Sequence, residues 1–223
     1  MPTYRLLLFA AATKSFATYG AGPFLASYFL RLHRPEVEIL AGQLGAKLGF
    51  NLQPVGFLGI MLGLSAGVAG VIGTWAGGML VDRLAPRDTR FYLWIPAVSA
   101  ALTVPLQAIA VLVGSVPLAL AFITLNNFVM LFWPGPAYGV THSIAPPHMR
   151  ATAVAVLLFM MNLIGLGLGP VTIGAVSDFF GGPLGMGSGE GLRWAIICSV
   201  SGSVIAAGLF AWAARTVRED IAS

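Results

Sequence analysis

The chain has 223 residues, of which 57% are hydrophobic and 9% are charged, and its formal net charge is +4. Its mean hydropathy is +0.87. A soluble domain of this length would need far more charged side chains to cover its surface, so the composition excludes one. The excess of basic residues is therefore interpreted as charge that orients a membrane protein and meets anionic headgroups.

About six apolar segments account for nearly the whole chain, and each is long enough to cross about 30 Å of hydrocarbon. They are predicted at about residues 6–30, 57–81, 91–113, 118–144, 151–176 and 194–214. Residues 1–223 are therefore predicted to form a single all-α transmembrane domain. A cleaved signal peptide is an alternative for the first residues, but the apolar run resumes after Lys14 and continues to Leu30.

The loop at residues 31–56 carries a helical pattern of its own. Val37, Leu40, Leu44 and Leu48 recur at helical spacing, which predicts a short amphipathic helix lying at the membrane interface. An ordinary polar loop is the alternative, because the loop also contains glycines that weaken a helix, namely Gly42, Gly45 and Gly49.

Basic residues are distributed unevenly between the two sides of the predicted bundle. One side collects Arg5, Arg83, Arg87, Arg90, Arg150, Arg215 and Arg218, and the other collects Arg31, Arg34, Lys47 and Arg193. Because basic residues concentrate in cytoplasmic loops, this asymmetry predicts a multi-pass protein of the inner or plasma membrane. Both termini are then expected to be cytoplasmic.

Glycines recur every four residues in two of the segments. They are Gly59, Gly63 and Gly67 in the second segment, and Gly165 and Gly169 in the fifth. Helix backbones approach closely where side chains are absent, so these residues are predicted to lie at helix–helix contacts. A general abundance of glycine in membrane helices is the alternative.

Lys14 is the basic residue predicted to lie deep in the membrane. It follows Arg5 by nine residues, or roughly 13 Å along a helix. A charge at that depth is costly unless it faces a cavity or a partner, so Lys14 is a candidate for substrate binding or ion coupling. The alternative is a lysine that extends its ammonium to the membrane surface.

Intramembrane polar residues supply the other candidates for the substrate site. Asn126, Asn127 and Trp133 precede Pro134 and Pro136 in the fourth segment, and prolines bend helices beside transporter cavities. A further candidate is Asn162 in the fifth segment. Any one of these side chains can instead serve as a hydrogen bond between helices.

Catalytic and cofactor motifs give no basis for an enzyme. Ser65 lies in a Gly-x-Ser-x-Gly pattern, but that motif needs an exposed strand-to-helix turn, whereas this serine lies within an apolar segment. The sequence contains no HExxH, paired CxxC or phosphate-binding lysine motif. No enzymatic activity, cofactor, metal or nucleic-acid partner is therefore expected.

The loop between the second and third segments, GMLVDRLAPRDTR at residues 78–90, resembles the signature of the major facilitator superfamily. The resemblance rests on Gly78, Asp82, Arg83, Arg87 and Arg90, although Ala85 and Pro86 stand where the family has glycine and arginine. The segments RFYLWIP (90–96), PPHMRATA (146–153) and NLIGLGLGP (162–170), followed by Ser177 and Asp178, are similar to the last six helices of spinster-like members.

This resemblance implies one half of a twelve-helix transporter, built from two inverted three-helix repeats, and a small organic or lipid-like solute. A proton or ion gradient is the expected energy source, because the sequence has no nucleotide-binding motif. Asp82 can accept from N–H groups at the start of a neighbouring helix and pair with Arg83 or Arg87, and together with the resemblance this predicts a cytoplasmic latch. Positive-inside anchoring is the alternative, which accounts for the arginines but not for Asp82. A half-length chain is expected to self-associate or to bind a separate first half. The alternatives are a truncated or inactive fragment, a non-transporting partner subunit, and a small oligomeric channel.

Overall fold

The described part of the chain is entirely helical. A computed structural model describes residues 2–222, with side chains for residues 2–220, and contains eleven α-helices and no strand in that range. The helices are α1 (Pro2–Ala21), α2 (Leu25–Leu32), α3 (Arg34–Leu48), α4 (Pro54–Leu64), α5 (Gly70–Leu84), α6 (Phe91–Leu112), α7 (Val116–Met130), α8 (Pro134–Ile144), α9 (Arg150–Asn162), α10 (Gly169–Gly181) and α11 (Gly187–Ala222).

Several of these helices join into longer rods that can cross a membrane. Five rods are long and apolar enough, and they span Pro54–Leu84, Phe91–Leu112, Val116–Ile144, Pro147–Gly181 and Gly187–Asp220. The rod at residues 2–32, which carries Arg5, Lys14 and Arg31, is not among these five. The chain is therefore a multi-pass helical membrane protein, with five rods assigned by length and composition.

Helix irregularities occur in the same order in both halves of the chain. A 3₁₀ turn at Gly22–Phe24 separates α1 from α2, and residues 131–133 separate α7 from α8. A π-helical turn at Ser65–Ala69 joins α4 to α5, and another at Leu163–Leu168 joins α9 to α10. A continuous helix, α6 or α11, follows each π-turn. A broken rod, a rod with a π-turn and a continuous helix thus occur twice, as expected for an internally repeated bundle.

Two apolar clusters lie towards opposite ends of the bundle. The first cluster is centred on side chains of α1, α6, α8, α9 and α11, namely Leu7, Leu93, Val140, Leu157 and Phe210. The second joins α2, α4, α6, α7 and α11 through Tyr28, Phe29, Leu58, Val111, Ile123 and Ile196. Helices α1, α6 and α11 contribute residues to both clusters. They therefore form the centre of the bundle and position the side chains that lie between the clusters.

The first and last helices meet at one end of the bundle. The backbone N–H of Thr3 donates to Asp220 Oδ2 at 2.8 Å, and the hydroxyls of Thr3 and Thr216 are 2.7 Å apart. Residues near both ends of the described chain therefore lie on the same side of the bundle.

The predicted helix in the 31–56 loop is confirmed as α3, and its glycines have specific roles. Gly49 ends the helix with a left-handed backbone, φ 78°, which glycine adopts without a Cβ penalty. A Cβ on Gly45 would lie 2.7 Å from the carbonyl oxygen of Phe50. The buried face is narrower than the predicted one, because Val37 is fully buried whereas Leu48 is 53% exposed.

The two glycine patterns have different surroundings. A Cβ on Gly165 would lie 2.7 Å from the ring of Tyr19, and a Cβ on Gly169 would lie 2.9 Å from the Cα of Gly20, so both glycines contact α1. No heavy atom of a neighbouring helix lies within 4 Å of a Cβ placed on the α4 glycine Gly59 or Gly63, or on Gly67 of the π-turn. These three glycines therefore meet no helix within the described chain, and the helix contact predicted for them remains a prediction.

Candidate functional site

A cavity of about 270 Å³ lies between the two apolar clusters. On α6 its lining residues Thr103 and Gln107 stand between Ala100 of the first cluster and Ala110 of the second. Apolar side chains and seven polar ones line it, and none of them is ionisable. The polar residues are Thr18, Thr103, Gln107, Asn126, Asn127, Ser199 and Ser203.

Helix breaks shape the edge of this cavity. Gly22, in the 3₁₀ turn between α1 and α2, lines the cavity directly, and Pro23 beside it has no backbone N–H to continue the helix. Ala66, in the π-turn between α4 and α5, lines it from another side. Both interruptions of regular α-helix thus border the cavity, which is where a membrane protein tolerates irregular backbone.

Lys14 lies one layer of side chains behind the cavity wall. Its side chain is fully buried, and its ammonium donates to Thr103 Oγ1 at 2.9 Å and to Ser203 Oγ at 3.3 Å. Both acceptor hydroxyls line the cavity, whereas Lys14 itself does not. Within the described residues Lys14 makes no ion pair.

The amides of Gln107 and Asn126 form an incompletely satisfied pair in the same wall. Asn126 Nδ2 donates to Gln107 Oε1 at 2.9 Å. Gln107 Nε2 and Asn126 Oδ1 are buried and have no partner among the described residues. Reversing both amide assignments exchanges the two roles, so either choice leaves one donor and one acceptor unpartnered. These groups are available to a hydrogen-bonding ligand.

Asn127 connects the cavity to the π-turn at Ser65–Ala69. Its Nδ2 donates to Ser65 Oγ at 2.9 Å, and Ser65 is the first residue of that turn. The adjacent asparagines of α7 therefore hold different neighbours, because Asn126 faces α6 and Asn127 faces the rod formed by α4 and α5.

Two of the predicted cavity residues lie elsewhere. Trp133 is 4% exposed and packs in the first apolar cluster, with its ring centroid 6.1 Å from that of Phe210. Asn162 is exposed, and its Nδ2 donates to the carbonyl oxygen of Leu158 one turn earlier. Trp133 buries its large apolar ring in the core, and Asn162 satisfies its amide on its own helix, so neither lines the cavity.

The ion pair beside the family-signature loop differs from the predicted one. Asp82, Arg83 and Arg87 are exposed, and the Asp82 carboxylate has no ion pair to a described residue. Asp88 instead accepts from the guanidinium of Arg218, at 2.8 Å to Oδ2.

Backbone hydrogen bonding also holds Asp88 in place. The N–H of Arg90 donates to Asp88 Oδ1 at 2.9 Å. This backbone hydrogen bond, together with the hydrogen bond and charge of Arg218, lowers the pKa of Asp88 below its usual value of 3.8. Gly78 has open space at its Cβ position, and Arg90 is half-buried just before α6.

Several residues of this region were not predicted from the sequence. Thr18, Thr103 and Ser203 carry no distinctive signal, because serine and threonine are common in membrane helices. The pairing of Asp88 with Arg218 joins residues 130 positions apart, which no local pattern indicates.

Comparisons with known proteins agree with this architecture. No family model matches the sequence. An MFS-type efflux pump of Mycolicibacterium smegmatis is 30% identical over 168 residues, which are 75% of this chain and 38% of that protein. The crystal structure of a bacterial homolog of the human lysosomal transporter Spinster, inward-facing and unoccupied, superposes with a TM-score of 0.82 at 27% identity, over 99% of this chain and 49% of that one.

The chain has the fold of one half of a major facilitator transporter. The same bacterial Spinster homolog in an occupied, inward-facing conformation gives a TM-score of 0.77 at 24% identity, which is a likeness of fold, over 99% of this chain and 50% of that one. The chain thus spans about half the length of these solved transporters. The major facilitator resemblance predicted from residues 78–90, and its spinster-like character, are confirmed.

Proposed function

We propose that this chain is one half of a secondary active transporter of the major facilitator type, carrying a small organic or lipid-like solute. The observation that supports this most is the cavity between the two apolar clusters, with unpartnered amide groups on Gln107 and Asn126 and with Lys14 behind its wall. Apolar walls with a few placed polar groups are typical of sites for small organic ligands.

The rod at residues 2–32 is proposed as a sixth crossing, so that the fold is a six-helix bundle with two inverted three-helix repeats. The matching positions of the 3₁₀ break at Gly22–Phe24 and the break at 131–133 support this assignment, as do the two π-turns. Lys14 then lies within the membrane, where a buried hydrogen-bonded position behind a polar cavity is the arrangement expected for an intramembrane charge.

A second six-helix body is proposed to cover the exposed rods. Two rods bury little of their most apolar stretch within this chain, 28% for Pro54–Leu84 and 17% for Pro147–Gly181. The buried share of the corresponding stretch of Phe91–Leu112 is 50%. The open glycines Gly59 and Gly63 lie on the first of these rods. Alternating access requires two bodies that move against each other around a midplane site, and these two rods offer the surface for the second body.

The end of α5 and the loop that follows it, which together contain Gly78, Asp82, Arg83, Arg87 and Arg90, are proposed as the cytoplasmic latch of this transporter. The exposed Asp82 carboxylate is then left for the N–H groups at the start of a helix in the second body, since helix N-termini bind carboxylates. The pair between Asp88 and Arg218 supports this by fixing the end of the loop.

Reconstitution of the chain into liposomes tests the function. The proposal expects gradient-driven, saturable uptake only when the chain is paired with a second six-helix body, either another copy or a separate first half. At dilutions that give one copy per vesicle, the chain alone is expected to be inactive. Saturable uptake by single copies would contradict the half-transporter proposal, single-channel currents would indicate a pore, and inactivity with every companion would indicate a non-transporting subunit.

A further inference from the structure

We propose that the cavity wall in front of Lys14, formed by Thr103 and Ser203, selects solutes that carry an anionic group. These two hydroxyls present the charge of Lys14 to that group. The inference rests on the proposed transport function for its biological meaning. Its physical basis is the direction of the hydrogen bonds behind the wall and the distribution of charge around the cavity.

The Lys14 ammonium fixes which way the two hydroxyls point. An ammonium only donates, so the oxygens of Thr103 and Ser203 must both accept from it. The Thr103 hydroxyl in turn donates a hydrogen bond to the carbonyl oxygen of Ser99, at 2.8 Å. The proton of Ser203 has no acceptor among the described residues, and Ser203 lines the cavity. Its hydroxyl is therefore a donor directed at whatever occupies the cavity.

Negative charge that would neutralise Lys14 is absent from its surroundings in this chain. All eight acidic residues lie in loops or within the first or last two turns of a helix: Glu36, Glu38, Asp82, Asp88, Asp178, Glu190, Glu219 and Asp220. None of the cavity-lining residues is acidic. The cavity in this half is consequently bordered by one cation without a counter-charge, by the Ser203 hydroxyl, and by an amide pair that leaves one donor and one acceptor unpartnered.

The charge of Lys14 acts on a ligand in the cavity without direct contact, because electrostatic interactions extend over several ångströms. A unit charge acting over about 8 Å at an effective dielectric constant of about 20 to 40 changes the local concentration of a monovalent ion by about tenfold, with opposite signs for anions and cations. An anionic group is attracted and also accepts a hydrogen bond from Ser203, whereas a cationic group is repelled and finds no acceptor at Ser203. The wall therefore discriminates on charge as well as on hydrogen bonding.

A test that requires no knowledge of the solute uses cysteine chemistry in the cavity. The reporter is Thr18→Cys, one turn after Lys14 on α1 and in the cavity lining, with Ala66→Cys as a second reporter. The exposed native cysteine is removed by Cys198→Ala. Each protein, purified as the full chain in nanodiscs, is reacted with two methanethiosulfonates of similar size, the anionic 2-sulfonatoethyl and the cationic 2-trimethylammonioethyl reagents.

The measured quantity is the ratio of the anionic to the cationic modification rate, relative to the same ratio for free 2-mercaptoethanol. A change in thiol reactivity affects both reagents equally and cancels in this ratio. We expect a ratio at least about tenfold above that of the free thiol, a return to near the free-thiol value in Lys14→Met, and retention of the high ratio in Lys14→Arg. Should Lys14→Met not fold, the comparison with free thiol still decides the result.

Hydrogen bonding by Ser203 is tested by protection of the same reporter cysteine. Decanoate and decyltrimethylammonium are compared as inhibitors of modification by neutral methyl methanethiosulfonate. Ser203→Ala should weaken protection by decanoate several-fold, whereas Ser201→Ala should not change it. Ser201 is the matched control because it lies on the same helix, is exposed, and donates to the carbonyl oxygen of Cys198.

A ratio of anionic to cationic modification rates equal to that of the free thiol would overturn the proposal. A ratio that Lys14→Met leaves unchanged, or no modification of either reporter cysteine, would also overturn it. Stronger protection by the cation than by decanoate would overturn it as well. None of these measurements requires transport, so an inactive but anion-selective chain would contradict the proposed function and leave this inference standing.

Discussion

The carboxylate of Asp88 binds the guanidinium of Arg218 in a two-point contact, with distances of 3.2 Å from Nε to Oδ1 and 2.8 Å from Nη2 to Oδ2. This pair joins the loop after α5 to the last helix. It also places the loop beside the end of the bundle where Thr3 meets Thr216 and Asp220. The loop proposed as the latch is therefore anchored at its Asp88 end while Asp82 stays exposed.

The contact should make stability depend on pH in a defined direction. The folded protein holds the pKa of Asp88 below 3.8, mainly through the backbone N–H of Arg90 and then through Arg218, so the folded state favours the ionised carboxylate. Asp88→Ala should slightly lower the unfolding temperature at neutral pH. The difference from the native sequence should disappear as the pH falls through that lowered pKa, as measured by thermal unfolding in detergent. Asp82→Ala, at an exposed carboxylate with no ion pair to a described residue, is the matched control for the loss of a carboxylate near the same end of α5.

The amide pair in the cavity should be energetically coupled. Gln107→Leu and Asn126→Leu each remove one side of the 2.9 Å hydrogen bond, and a double-mutant cycle isolates the interaction. We expect a coupling of about 0.6 kcal/mol, the average for hydrogen bonds between membrane helices. The measurement is the free energy of unfolding in mixed micelles. Asn162→Leu, whose amide bonds only to its own helix, should be additive with both, and strict additivity of Gln107 and Asn126 would refute their pairing.

Glycines in contact and glycines in open space should respond differently to the same substitution. Gly165→Val places methyl groups against Tyr19 and Ser15 on α1, and such overpacking costs about 1–3 kcal/mol. Gly63→Val meets no neighbour in this chain and should leave the unfolding free energy nearly unchanged. If a second body covers α4, Gly63→Val should instead weaken self-association or binding of that body, measured by fluorescence energy transfer in nanodiscs. Equal destabilisation by both substitutions would contradict the packing described for α1.

Orientation in the membrane is open to direct labelling. In a Cys198→Ala background, Arg34→Cys in α3 and Arg87→Cys after α5 should react with an impermeant maleimide from opposite faces of intact cells. The distribution of basic residues predicts position 87 in the cytoplasm and position 34 outside. Both cysteines reacting from outside in unlysed cells would exclude this topology.

Residue patterns predicted the fold better than they predicted the site. Helical spacing indicated α3, and Pro134 and Pro136 indicated the bend between α7 and α8, because these signals act within a few residues of the chain. The orientation of a helix face was harder to predict. Lipid-facing and core-facing positions are both apolar in a membrane protein, so hydropathy does not separate them. Trp133 and Asn162 therefore looked like cavity residues, whereas Asn126 and Asn127 line the cavity.

Each π-turn shifts the helical periodicity of the side chains along the rod that contains it. Each wide turn adds about one residue to the helical repeat, so the segment beyond it is rotated by about 100° relative to the segment before it. Accordingly α4 packs mainly on α2 and α3, whereas α5 packs on α7, α8 and α6. One rod thus carries two helical phases, with the change at Ser65–Ala69. The residues that pack against a side chain of this rod therefore have to be assigned separately before and after the π-turn. Deleting one residue within Ser65–Ala69 would give the whole rod a single helical periodicity.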